Sequence, residues 1–79
     1  MARETAGSKL RRFRRSRGVT QEELARELGF AHQSAIAKRE ADLVVDFDAD
    51  ALDEAILATA TIAQRKRDAV SAAEVLAGE

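Results

Sequence analysis

Cysteine, proline, tryptophan and tyrosine are absent from these 79 residues, and there is one histidine. Without cysteine there is no disulfide framework and no thiolate metal site. A lone histidine does not build a zinc site without unusual carboxylate help. The acidic run Asp42, Asp46, Asp48, Asp50, Asp53 and Glu54 lacks the glycine and the ligand spacing of a calcium loop, and reads better as helix-start acids. No metal and no cofactor is therefore expected. No apolar run approaches the roughly eighteen residues of a membrane span, and no hydrophobic signal region opens the chain, so no membrane partner is expected and the expected compartment is the cytoplasm. No Ser, His and acid form a recognisable catalytic motif, and no glycine loop cradles phosphate. The chain is not expected to be an enzyme.

What is present is rich in Ala, Leu, Arg and Glu, all strong helix formers. The expected fold class is all-α, a small helical bundle with a C-terminal helical extension, forming a single domain over residues 1–79. A core of this size supplies only a few kcal/mol net, so burial against a second chain is expected on stability grounds. The net charge of −1 conceals an asymmetry. Residues 1–40 carry ten Lys/Arg against five Glu, net +5, and residues 41–79 carry three against nine acids, net −6. Six basic residues fall between Lys9 and Arg17. One half is suited to a polyanion and the other to something else.

Residues 1–7 carry no apolar pattern and read as a loose arm. Ser8 is a candidate cap for a first helix that runs to Ser16 or Arg17, with Gly18 beyond its end. Leu10 and Phe13 form its apolar pair, and arginines cover much of the rest. Thr20 and Glu23 form a capping box, and Val19 and Leu24 have the spacing of a hydrophobic staple. Leu24, Ala25 and Leu28 line one face of this second helix, and Gly29 ends it. A third helix is expected from near His32 or Gln33 to about Ala41. Residues 42–48 are readable as a short strand or as a loop whose apolar residues plug the core, and the loop is favoured. Asp48 or Asp50 starts the last helical region, which is one long helix or two with a break near Gln64 to Asp68. The basic island Gln64-Arg-Lys-Arg reads as a solvated turn or an exposed helix stretch.

A basic helix, a short amphipathic helix, a glycine turn and a further helix make the order of parts in a helix-turn-helix. From Leu10 to Glu40, LRRFRRSRGVTQEELARELGFAHQSAIAKRE, the chain resembles the Cro/CI-type (XRE) family of phage and bacterial regulators, with its lambda-repressor-like fold. The match is strongest in GVTQEELARELG, residues 18–29. The resemblance implies binding of double-stranded DNA, as a sequence-specific regulator of the repressor kind, by a homodimer with one recognition helix in each major groove. It also implies an ion pair between Arg14 and Glu40, tying the first helix to the third, and a DNA-phosphate contact at Gln21. Arg11, Arg12, Arg15 and Thr20 are further phosphate candidates.

The recognition helix departs from the family pattern, with one residue more than usual between Gly29 and Glu40. Counting back from Glu40 puts Ile36 inside and turns Gln33, Ser34 and Lys38 to the groove. Counting forward from Gly29 puts Ala35 inside and makes His32 and Gln33 the first contacts. The first register buries a large apolar residue and is preferred, although it sets Arg39 where the family carries an aliphatic side chain. Gln can bond both N6 and N7 of adenine, and Lys can reach guanine or a phosphate. Residues 8–41 are thus the expected DNA-binding helices, and 48–79 the expected dimerisation or partner-binding segment. A seam through Leu52, Ile56, Thr59, Ala63, Lys66, Val70, Ala73 and Ala77 nominates Leu52, Ile56 and Val70 as contacts with a second copy or another protein. The alternative is an antitoxin-like module whose acidic half, residues 43–79, binds a protein partner.

Overall fold

A computed structural model describes residues 4–78 as four helices: α1 (Ala6–Ser16), α2 (Gln21–Glu27), α3 (Ser34–Glu40) and α4 (Ala49–Ala77). No strand occurs among the described residues. α1 and α2 each pack against both α3 and α4. Leu10 from α1, Leu24 from α2 and Ile36 from α3 are fully buried, together with Val19 from the intervening turn. α4 adds Ala55, Ile62 and Ala63, and Leu28, Phe30, Phe47 and Leu52 close the edges. Each fully buried Leu or Ile contributes about 1.5–3 kcal/mol.

The first three helices end alike. After α1, Gly18 N donates to the Arg15 carbonyl and Val19 N to that of Arg14, both at 3.1 Å. After α2, Gly29 and Phe30 repeat this to Arg26 and Ala25, and after α3, Asp42 and Leu43 do so to Arg39 and Lys38. These are Schellman closures, which need a left-handed residue just beyond the cap. Gly18 (φ 67°) and Gly29 (φ 81°) adopt that conformation without steric cost, whereas the third closure uses Asp42 at φ 60°.

Asp42 also explains why α1 begins earlier than its sequence suggests. Thr5, not Ser8, is the N-cap: its hydroxyl oxygen accepts from Ser8 N at 3.1 Å. The same hydroxyl donates to Asp42 Oδ2 at 2.7 Å, and Gly7 N donates to Asp42 Oδ1 at 3.1 Å. A carboxylate from another helix end thus meets the positive end of the α1 dipole. Ser8 becomes the third residue of the helix, and residues 5–7 belong to the folded body rather than to a loose arm. Residues 1–3 of that expected arm lie outside the described residues.

The capping box of α2 is complete, with Glu23 N donating to Thr20 Oγ1 at 3.1 Å and Thr20 N to Glu23 Oε1 at 3.0 Å. The connection from α3 to α4 is a loop, but only part of it plugs the core. Phe47 packs inward, while Leu43 and Val45 are exposed. α4 starts where Asp48 accepts from Ala51 N at 2.9 Å and continues unbroken for 29 residues. Its first half lies on the core, and beyond Lys66 its side chains are exposed.

The seam expected to face a second copy is largely the intrachain core face of α4. Leu52 packs on the core, and Thr59 and Ala63 are buried. Ile56 is half-buried, and Val70 is 57% exposed. Leu52 and Ile56 are thus partly engaged within the chain itself. The basic island is a largely exposed stretch of α4, and two of its side chains are also paired. Arg65 Nη1 pairs with Glu27 Oε1 at 2.6 Å, and Lys66 Nζ pairs with Glu23 Oε1 at 2.7 Å. Lys66 also donates to the Gly18 carbonyl at 2.8 Å, fixing α4 against the α1–α2 turn.

Candidate nucleic-acid interface

Helix α3 has one buried and one open side. Ile36 is fully buried and Ala35 only partly so, which corresponds to the register counted back from Glu40. His32, Gln33, Ser34 and Lys38 are exposed. Gln33 occupies the N-cap position but makes no side-chain cap hydrogen bond there. Arg39, in the aliphatic place, lies over the Phe30 ring at 4.3 Å from the centroid and donates to the Ala35 carbonyl at 2.7 Å. Its stem packs while its charge stays partly hydrated, so no bare cation is buried.

Arg14 and Glu40 hold α3 against α1. Arg14 Nε and Nη2 donate to Glu40 Oε2 and Oε1 at 2.6 and 3.0 Å, and Arg14 Nη1 donates to the Val19 carbonyl at 2.8 Å. Both residues are buried, so the bidentate geometry and the extra donors are what make the pair tolerable. Gln21 Nε2 adds a bond to Glu40 Oε1 at 3.2 Å. The amide proposed for phosphate is thus anchored by the ion pair while keeping a second N–H.

Arg11, Arg15, Thr20, Gln21 and Gln33 line one open depression between α1, α2 and the start of α3. This brings together candidates from three helices. The Thr20 hydroxyl oxygen is already engaged as the cap of α2. Arg11 and Arg15 have no carboxylate within ion-pair distance among the described residues. Arg12 is not in this group. Its Nη2 and Nε bind the Glu4 carboxylate at 2.7 to 3.2 Å, and the Arg12 hydrogen bond holds Glu4 below its ordinary pKa.

Three contributors escaped the sequence reading: Arg39 as a stacking residue, Lys66 as a clamp and Arg17 as an exposed cation 4.7 Å over the Phe13 ring. The only signal for the first two was a charge inside an otherwise apolar pattern. Among the described residues no three His, Asp or Glu side chains gather to hold a metal ion, and no helix is long and apolar enough to cross a membrane.

Comparison with curated proteins and with solved structures found no match. A family model described as helix-turn-helix matches residues 10–53, more than half of the chain. That span contains all of α2 and α3, the Arg14–Glu40 pair and the exposed residues of α3. The chain belongs to the Cro/CI-type (XRE) helix-turn-helix family of DNA-binding regulators.

Proposed function

We propose that the protein is a sequence-specific transcriptional repressor that binds an operator as a homodimer. The observation that carries this reading is the shared depression of Arg11, Arg15, Gln21 and Gln33, continuous with the exposed face of α3. Phosphate held by Arg11, Arg15, Gln21 and Thr20 would set the register of the protein on the duplex. Gln33, Ser34 and Lys38, with His32 at the margin, would then face base edges in the major groove. Arg12 stands apart from this set, beside Glu4.

In a homodimer two recognition helices would enter major grooves about one helical turn apart. Leu43 and Val45 on the α3–α4 connection, and Leu57, Val75 and Leu76 on α4, are exposed apolar side chains available to a second copy. Such a regulator acts in the cytoplasm.

Selection of bound duplexes from a random pool tests the reading. Convergence on a two-fold symmetric site is expected, and equal recovery of all sequences would defeat it. A second reading is favoured by one observation: Val45 is 99% exposed within a connection carrying Asp42, Asp46 and Asp48. An acidic, apolar surface suits a basic protein partner, as in an antitoxin. Size measurement with and without candidate neighbouring gene products separates the two.

A further inference from the structure

Arg17 and Arg67 face a second open groove, between the C-terminal end of α1 and the overhanging part of α4. Ser16, Val70, Ser71 and Glu74 complete most of its lining. We propose that this groove binds DNA backbone phosphate flanking the stretch held by α1 and α2, with Arg17 and Arg67 as its ligands. This rests on the DNA-binding reading above and extends its footprint.

Three observations carry it. First, the two guanidiniums are the uncommitted cations of their neighbourhood. Arg65 and Lys66 are paired with Glu27 and Glu23, whereas neither Arg17 nor Arg67 has a carboxylate within ion-pair distance among the described residues. Arg17 is steadied by the Phe13 ring, and Arg67 Nη2 donates to Gln64 Oε1 at 2.8 Å. Each keeps free N–H donors in the fork geometry that suits phosphate.

Second, the two grooves draw on neighbouring residues of the same α1–α2 turn. The first is lined by Gly18, Thr20 and Gln21, and the second begins at Ser16 and Arg17. A strand whose phosphates meet Arg15 and Gln21, if it continues past the α1–α2 turn, comes to Arg17 next. Third, the position of Arg67 is built in. Its neighbour Lys66 is bonded to the Gly18 carbonyl and to Glu23, which fixes α4 against that same turn.

Glu74 is the one acid of the groove and opposes an anion there, which supplies a test of opposite sign. The intact chain is titrated against a mixed-sequence duplex of about three helical turns, between about 50 and 200 mM salt. Arg17→Ala and Arg67→Ala are each expected to lower the slope of log affinity against log salt by about 0.9. Glu74→Gln should tighten binding, and Arg65→Ala, which removes a cation already paired, should leave the slope as in the parent. Circular dichroism of each variant confirms the helical fold.

Parental slopes for both Arg17→Ala and Arg67→Ala, with Arg15→Ala losing its share, would overturn the second groove and leave the first standing. A parent chain that binds no duplex overturns both.

Discussion

Gly7 and Asp42 meet across 35 residues of sequence, the glycine N–H donating to the aspartate Oδ1 at 3.1 Å. The approach leaves no room for a side chain, since a Cβ on Gly7 would lie 2.7 Å from the Glu40 carbonyl oxygen and from Asp42 Oδ1. Both obstacles belong to the end of α3, which is held in place by its own closure and by the Arg14 pair. Gly7→Ala should therefore destabilise the fold by about 1–3 kcal/mol through overpacking, although alanine is the better helix former by about 1 kcal/mol. Urea denaturation measures it, and a gain in stability would contradict the close approach.

The Arg14–Glu40 pair predicts a non-additive result. Arg14→Met leaves a buried carboxylate without its main partner and should cost about 3–5 kcal/mol. The double variant Arg14→Met/Glu40→Leu removes both charges and should recover a large part of that loss. A double variant less stable than Arg14→Met alone would show that the two side chains do not act as one unit.

Acid should weaken the tie between α2 and α4. Glu23 is held below its ordinary 4.5, first by the hydrogen bond from Lys66 and then by the backbone of Thr20. A pKa depressed by folding contributes stability that is complete above the unfolded value and is lost as pH falls through the folded one. Glu4 titrates in the same direction, so the comparison must isolate Glu23. Glu23→Gln keeps a residue able to close the capping box. Its denaturation midpoint should change less than that of the parent between about pH 6 and about pH 3.

On DNA, Gln33 and Arg15 should behave as opposites. Gln33→Ala is expected to lose about 1–3 kcal/mol of discrimination between a selected site and a mixed duplex while keeping the salt slope. Arg15→Ala should weaken both duplexes alike and reduce the slope by about 0.9. Anisotropy titrations at several salt concentrations read both quantities, and an interchange of the two phenotypes would invalidate the contact assignment.

Arg39 lies where an aliphatic residue is usual, and its stem already packs like one. Arg39→Leu should change stability by less than about 1 kcal/mol, exchanging a half-buried cation–π contact for apolar packing on Phe30. A loss well beyond that would mean the guanidinium itself is needed.

The elements legible in the sequence are those whose causes are local. The capping box at Thr20 and Glu23 is a matter of three residues, and the turns at Gly18 and Gly29 need only an achiral residue at the right place. The helical period selected Ile36 over Ala35, because one side of α3 must hide a large apolar group. What escaped depends on distant partners. Ser8 is a reasonable cap until Asp42 comes within reach of Thr5 and Gly7. Lys66 is a blemish in an apolar seam until it meets Glu23 and the Gly18 carbonyl. Up to Lys66 the seam follows the buried side of α4, but period alone does not say whether a buried face meets the same chain or another. In the candidate interface, periodicity separated Gln33 and Lys38 from Ile36, whereas the turning of Arg12 to Glu4 left no trace in spacing.

The continuity of α4 gives the molecule a mechanical property. With no break between the residues on the core and those beyond it, Arg67 stands at a rise and twist from the core fixed by the helix, about 1.5 Å and 100° per residue. A single residue inserted just after Ala63 would swing the overhang by over a quarter of a turn and carry Arg67 away from Arg17. Four inserted residues would nearly restore the angle at a displacement of about 6 Å. The aim of the outer half of the helix is therefore set by the residues that seat the inner half.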